Sequence, residues 1–176
     1  MPEFIELDDI DALGTGAVGQ PGARAFYIQA RTENAQLTVL VEKEQIALLA
    51  VEAVAFLDRI ADDYPELPID VPQVQTQLRE PTVPLFRARL IGLGFDPERE
   101  LVLIELREKP SEEEETETED AGNEEAEGYV ARIYATRAQV RAMAARGAEA
   151  VAGGRPLCPL CEMPMDPAGH ACPRWN

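Results

Sequence analysis

Cysteine, histidine and tryptophan are scarce in this sequence, and features typical of secreted and membrane proteins are missing from it. Its 176 residues include three cysteines, one histidine and one tryptophan. Three cysteines cannot all form disulfides, and the N-terminal segment has neither the basic nor the apolar region of a signal peptide. No apolar run approaches the roughly 20 residues that are needed to span a bilayer. We therefore expect a cytoplasmic protein that is not associated with a membrane.

Positive charge is also scarce. Lysine and arginine number 16 against 33 aspartates and glutamates, which gives a formal net charge of −17. Nucleic acids and anionic lipids gain affinity from basic residues, so this balance disfavours both as partners. Much of the negative charge lies in one acidic run, residues 111–127. Such a run buries too little apolar surface to fold alone, and we expect a disordered loop, with a partner-binding or nucleic-acid-mimicking segment as the alternative.

The cysteines and the histidine are gathered near the C-terminus. Cys158 and Cys161 have the spacing C-x2-C, and His170 and Cys172 follow as H-x-C. Three thiolates and one imidazole complete a tetrahedral shell, and a closed shell of four protein ligands is typical of structural zinc. The alternatives are a cluster of small buried hydrophobes, a disulfide with one cysteine left over, and a catalytic zinc, which would need an open coordination position. Trp175 is expected to pack on this metal core.

Apolar periodicity predicts an α+β domain over residues 1–154 and a zinc knuckle over residues 155–176. Helices are predicted at 43–62 and, after a capping Thr136, at 138–151. Strands are predicted at 4–7, 24–31, 37–42, 85–95, 101–107 and 129–135. The predicted core residues are Phe26, Ile28, Val39, Leu49, Phe56, Leu90, Ile104 and Ile133.

The first helix and the stretch after it carry two further expectations. Leu48, Val51 and Val54 widen the apolar face of the helix, which predicts burial on more than one side. Residues 65–84 are rich in proline and glutamine, and we expect them to cross the surface with one helical turn near residues 73–78.

The order of the elements favours a mostly antiparallel sheet with two main helices over a doubly wound fold. The sequence also contains a weak internal similarity. The segment Glu44-Gln45-Ile46 follows a predicted strand, and so does Ala138-Gln139-Val140. One short match is weak support for a repeat, so an internal duplication stays open at this point.

A glycine-rich stretch precedes the first long strand. Residues 14–19 read G-T-G-A-V-G, a literal G-x-G-x-x-G, but they do not open a helix as a dinucleotide-binding fingerprint must. We therefore predict a loop whose backbone N–H groups can form a small anion nest. The candidate anion-binding residues are Gly14, Gly16, Gly19, Gly22 and Arg24.

Three motifs together resemble a known family. They are the stretch from Gly14 to Ala30, the segment V-L-V-E-K-E-Q-I from Val39 to Ile46, and C-P-L-C followed by G-H-A-C-P-R in the tail. In these motifs the chain resembles an actinobacterial family of unknown function with a C-terminal zinc knuckle. The resemblance implies a cytoplasmic protein of about this length with the same tail. It implies no reaction and no catalytic residues.

Three functions are compatible with these features. The closed zinc site and the acidic run favour a non-enzymatic regulatory or protein-interaction module that binds protein partners. The alternative is an enzyme or binding protein for a phosphorylated or anionic small molecule, which would use the glycine-rich loop and Arg24. The third, nucleic-acid binding through the zinc tail, is disfavoured because only Arg155 and Arg174 flank the knuckle.

Overall fold

The structure, a computed structural model, describes residues 2–66, 74–108, 128–165 and 169–175. The predicted acidic loop at residues 111–127 lies outside this part of the chain, and so do residues 67–73 of the predicted surface crossing. Among the helices of the described segments, none combines the length and the apolar character that crossing a membrane requires.

In the described residues, two helices and two four-stranded sheets form the fold. The helices are α1 (Lys43–Asp63) and α2 (Arg137–Ala152). The first sheet contains, in spatial order, β2 (Ala12–Val18), β3 (Ala25–Arg31), β4 (Gln36–Val41) and β5 (Phe86–Arg87). The second contains β1 (Glu3–Leu7), β8 (Tyr129–Ala135), β7 (Leu101–Arg107) and β6 (Leu90–Asp96). The predicted α+β class, with two main helices and mainly antiparallel strand pairing, is confirmed.

The two halves of the chain have the same order of elements. The antiparallel strands β2, β3 and β4 precede α1, and the antiparallel strands β6, β7 and β8 precede α2. The last strand of each group also pairs in parallel with a strand from outside its group, β4 with β5 and β8 with β1. This arrangement is the one that an internal duplication would leave.

The predicted strand at 85–95 is in fact two strands that belong to different sheets. The N–H of Ala88 donates to the carbonyl of Leu40 in the first sheet, at 2.9 Å. The N–H of the next residue, Arg89, donates to the carbonyl of Arg107 in the second sheet, at 2.7 Å. The chain therefore changes sheets between these two residues, inside the stretch that was predicted as one strand.

One hydrophobic core joins both sheets and both helices. The predicted core positions in β3, β4, β7 and β8 are all buried, and α2 begins at the predicted cap. There Thr136 Oγ1 accepts from the N–H of Gln139, at 3.1 Å, while Gln139 Oε1 accepts from the N–H of Thr136, at 2.9 Å. This reciprocal pair satisfies two donors that the first turn of a helix otherwise leaves open.

Three predictions about burial are wrong. Helix α1 is buried on one face only, because Leu48, Val51 and Val54 are 63%, 66% and 46% exposed. Phe56, predicted as core with Leu57 as the alternative at this turn of the helix, is only partly buried at the edge of the core, and Leu57 is 0% exposed. Leu90, predicted as core, is 36% exposed at the start of β6.

The predicted glycine-rich loop is also wrong at its first two glycines. Gly14 and Gly16 lie inside strand β2, where they pair with β3. The residues that cover them form an irregular crossing segment, residues 74–79, with no helical turn. A Cβ on Gly14 would lie 3.0 Å from the carbonyl oxygens of both Thr76 and Gln77. Glycine is therefore needed here for close approach of two backbones rather than for a turn.

A buried glutamine attaches the crossing segment to the first sheet. Gln29 is 1% exposed, and its side-chain amide donates to the carbonyl of Arg79 at 2.9 Å and accepts from the N–H of Arg79 at 2.8 Å. The same nitrogen donates to Thr38 Oγ1 at 3.0 Å. Gln29 thus binds the crossing segment as a neighbouring strand would, with all of its polar groups satisfied.

Candidate metal centre

The metal-ligand candidates begin on a short hairpin that follows α2. Leu157 and Pro164 form an isolated antiparallel bridge, and the turn between them contains both residues of the C-x2-C spacing. The N–H of Glu162 donates to the carbonyl of Cys158 at 2.8 Å, and Glu162 has a φ of 60°, in the left-handed region. The turn therefore closes tightly enough to bring the sulfurs of Cys158 and Cys161 to one side.

The second pair of candidates returns to this turn from further along the chain. Gly169 has a φ of 128°, a conformation that suits the tight return predicted at this glycine. After it, the sulfur of Cys172 lies 3.8 Å from the sulfur of Cys158, and His170 Nε2 lies 3.2 Å from the sulfur of Cys161. All four predicted residues thus converge on one place.

The geometry of the four side chains fits a metal shell. Their ligand atoms all lie within 4.8 Å of one another, and the three cysteines are free rather than joined in a disulfide. A tetrahedral shell with metal–sulfur bonds of about 2.3 Å has sulfur–sulfur edges of about 3.8 Å, which is the separation observed between Cys158 and Cys172. Cys158, Cys161, His170 and Cys172 could therefore bind one metal ion.

The protein environment prepares Cys158 to act as a ligand. Hydrogen bonds from the backbone N–H groups of Cys161 and Leu160 are the main reason that the pKa of the Cys158 thiol is lowered from 9.0 to about 6. Burial, in contrast, raises the pKa of the Cys172 thiol. Since thiolates and not thiols bind metals, the lowered pKa of the Cys158 thiol favours the form that acts as a ligand.

The side chain of Trp175 does not pack on this centre. It is 80% exposed, and only its backbone N–H contacts the centre, by donating to the carbonyl of Cys172 at 3.1 Å. The prediction that Trp175 covers the metal core is therefore wrong. The tail, residues 155–176, instead exposes four large apolar side chains: Leu157, Leu160, Met163 and Trp175.

The metal candidates lie within a region that matches a family. A model described as a protein of unknown function, DUF3090, matches residues 5–172. The chain belongs to this family. The match spans the two sheets, both helices and all four Cys/His ligand candidates. No curated protein and no solved structure matches the chain.

In this DUF3090 chain the predicted anion-binding residues do not form one loop. Gly14 and Gly16 belong to β2, whereas Gly19 and Gly22 lie in the turn between β2 and β3 with φ of 110° and 90°. Arg24 follows that turn, and its Nη1 donates to the carbonyl of Ala150 near the end of α2, at 3.1 Å. A nest of successive backbone N–H groups from Gly14 onwards is thus excluded by the strand, and anion binding at the turn stays a prediction.

The cleft in which Arg24 lies was not predicted from the sequence. Three further basic residues line the same cleft: Lys43, Arg87 and Arg155. They come from the start of α1, from β5 and from the beginning of the tail, so no local spacing connects them. The only available signal was that basic residues are scarce in this chain, which makes any gathering of them informative.

Proposed function

We propose that this protein is a non-enzymatic interaction module whose tail is held in shape by a structural zinc ion. The observation that supports the metal is the convergence of Cys158, Cys161, His170 and Cys172. Three sulfurs and one imidazole nitrogen are a donor set that zinc prefers, and four protein ligands leave no open position for catalysis. Thiolate ligands persist where thiols stay reduced, so the proposal places the protein in the cytoplasm.

The exposed side chains of the tail support contact with a partner protein. Leu157, Leu160, Met163 and Trp175 are 63%, 49%, 54% and 80% exposed. Large apolar side chains that are exposed within one short segment favour burial against another molecule, and tryptophan and methionine are enriched where proteins meet. In this proposal zinc fixes the hairpin, and the hairpin presents these side chains to a protein partner that regulates the chain or is regulated by it.

The zinc is tested by elemental analysis and by cobalt substitution of the purified full chain. We expect one zinc per chain and, after exchange, the visible and near-ultraviolet absorption of cobalt bound to three thiolates and one imidazole. Cys158→Ser should lose the metal, whereas Glu162→Gln, a change in the same turn at a residue outside the ligand set, should keep it. Zinc stoichiometry well below one in both the wild type and Glu162→Gln would contradict the zinc proposal.

The interaction is tested by comparing captured proteins between variants. Trp175→Ser and Leu160→Ser remove exposed apolar side chains from the tail, and Val83→Ser removes one that is 72% exposed elsewhere. We expect a protein that is captured by the wild type and by Val83→Ser to be lost from both tail variants. Equal capture by all four proteins would contradict a binding role for the tail.

A further inference from the structure

A cleft of about 780 Å³ lies between the folded domain and the tail. Its floor is formed by the beginning of β3 and the end of β4, and one side by the first residues of α1. The hairpin of the tail supplies the opposite side through Leu157, Met163 and Pro164. Clefts of roughly 300–1,000 Å³ are the size at which proteins bind small molecules.

The cleft gathers positive charge in an otherwise acidic protein. The basic residues on its wall are Arg24, Lys43, Arg87 and Arg155, and the acidic ones are Glu42 and Glu44. Glu42 forms an ion pair with Arg87. Arg24 and Lys43, in contrast, form no ion pair with a carboxylate in the described part of the chain, where other arginines such as Arg107 and Arg132 do.

Two of these cations approach one point in space. A Cβ on Gly154 would lie 3.3 Å from Arg24 Nη2 and 3.4 Å from Lys43 Nζ. Arg24 is held there by its hydrogen bond to the carbonyl of Ala150 and by the ring of Phe26, whose centroid lies 5.1 Å from its guanidinium carbon. Like charges this close repel each other, and an anion between them would relieve the repulsion.

Two glycines, Gly22 in the turn before β3 and Gly154 just after α2, leave room for these cationic side chains. Gly22 has a φ of 90°, and a Cβ there would lie 2.6 Å from Nε and Nη2 of Arg155. Any side chain at Gly22 would therefore displace the guanidinium of Arg155, and one at Gly154 would crowd Arg24 and Lys43. The glycines thus act by admitting cationic side chains rather than by offering their own N–H groups.

We propose that this cleft binds a phosphorylated small molecule, with its phosphate between Arg24 and Lys43. Guanidinium donors match the oxygens of a phosphate in pairs, and the ammonium adds a compact charge. A phosphate fills only part of the cleft, so the organic part of the ligand lies against the apolar residues of the tail hairpin, Leu157, Met163 and Pro164. Leu157 and Met163 are also among the exposed residues proposed to bind a protein partner, whereas Leu160 and Trp175, the positions of the partner-capture variants, do not line the cleft.

The test is calorimetric titration of the full chain with inorganic phosphate, AMP and glucose 6-phosphate, and with adenosine and glucose as phosphate-free parents. We expect at least one organic phosphate to bind more tightly than inorganic phosphate, and its parent to bind more than about tenfold more weakly. Lys43→Gln and Arg24→Gln should each weaken binding about tenfold or more, because each removes one charge-assisted contact. Lys43→Arg should restore most of the affinity.

The matched control is Arg59→Gln, which removes one positive charge from the same helix as Lys43 but outside the cleft. It should bind as the wild type does, and circular dichroism will show that Lys43→Gln, at an exposed position, is folded. Absence of binding to all three phosphates, or equal affinity of Lys43→Gln and Arg59→Gln, would overturn the proposal. Zinc content and partner capture use tail variants instead, so failure of either proposal can be told apart from failure of the other.

Discussion

The body of the protein and its tail differ in how much apolar surface they bury. The body, comprising residues 2–66, 74–108 and 128–154, contains nearly all of the described buried apolar residues. The tail contributes only Cys158 to that set, and four of its large apolar side chains are exposed. A segment that buries so little cannot hold its shape by the hydrophobic effect, whereas metal binding can supply the folding free energy. The body is therefore ordered by burial of its core, and we propose that the tail is ordered by its metal ligands.

The largest expected effect on the body comes from a cavity in its core. Leu57→Ala should lower the free energy of unfolding by about 2–5 kcal/mol, because this side chain of α1 is fully buried. Leu48→Ala on the exposed face of the same helix should change it by less than about 0.5 kcal/mol. Urea denaturation of both variants measures the difference. Similar losses would mean that α1 is buried on both faces, as the sequence alone predicted.

The next effect concerns the attachment of the crossing segment. Gln29→Leu should cost about 2–3 kcal/mol, because it leaves the N–H of Arg79 without its acceptor and removes the donor to the Arg79 carbonyl and to Thr38 Oγ1 inside the protein. Gln36→Leu is the control, since Gln36 contacts the same carbonyl from an exposed position at 3.3 Å. Thermal denaturation compares the two. A smaller loss for Gln29→Leu than for Gln36→Leu would contradict the role given to Gln29.

A glycine substitution tests whether Gly14 is needed for the close approach of the crossing segment to β2. Gly14→Ala should cost about 1–3 kcal/mol, because its Cβ would meet two backbone carbonyl oxygens that cannot move independently. Gly92→Ala in β6 is the matched control, since the nearest atom to its added Cβ would lie 4.0 Å away. Equal stability of the two variants would show that the crossing segment does not lie against Gly14.

These glycines show where prediction from the sequence succeeded and where it failed. Strands β7 and β8 were predicted with their observed bounds, because alternating apolar residues record burial locally. Strand β2 was missed because Gly14 lies against the backbone of Thr76 and Gln77 and Gly16 against the side chain of Leu78, about 60 positions away in the sequence.

The two candidate sites differ in the same way. The metal-ligand candidates were found because their spacing within 15 residues is by itself typical of a zinc site. They are Cys158, Cys161, His170 and Cys172. Lys43 and Arg155 were not found as members of one cleft, because only the fold brings them together. Similarly, the choice between Phe56 and Leu57 depends on the rotation of α1 about its axis, which packing and not periodicity decides.

The smallest effect expected in the body is electrostatic. Burial raises the pKa of Glu105, but hydrogen bonds from Arg132 and Arg107 outweigh it, so the pKa lies below its ordinary value of 4.5. A carboxyl group with a lowered folded-state pKa stabilises the protein above the unfolded-state value, and this contribution is lost as the pH falls through the folded-state value. Glu105→Gln should therefore cost under about 1 kcal/mol at pH 7, because the group is partly exposed.

The pH dependence supplies the control for Glu105. The stability difference between the wild type and Glu105→Gln should shrink as the pH is lowered below 4.5 in denaturation experiments. If the stability difference between the wild type and Glu105→Gln grew in acid instead, the pKa of Glu105 would be raised and not lowered in the folded protein.

Amide hydrogen exchange of the purified full chain, with and without a zinc chelator, tests the contrast between body and tail most directly. Reporters in the tail are the N–H groups of Cys158 and Met165, which donate at 2.9 Å and 2.8 Å, and reporters in the body are those of β7 and α1. Chelation should raise exchange in the tail to the rate of an unfolded peptide, leave the body protected, and be reversed by added zinc. Unchanged protection of the tail, or loss of protection in the body as well, would contradict the account.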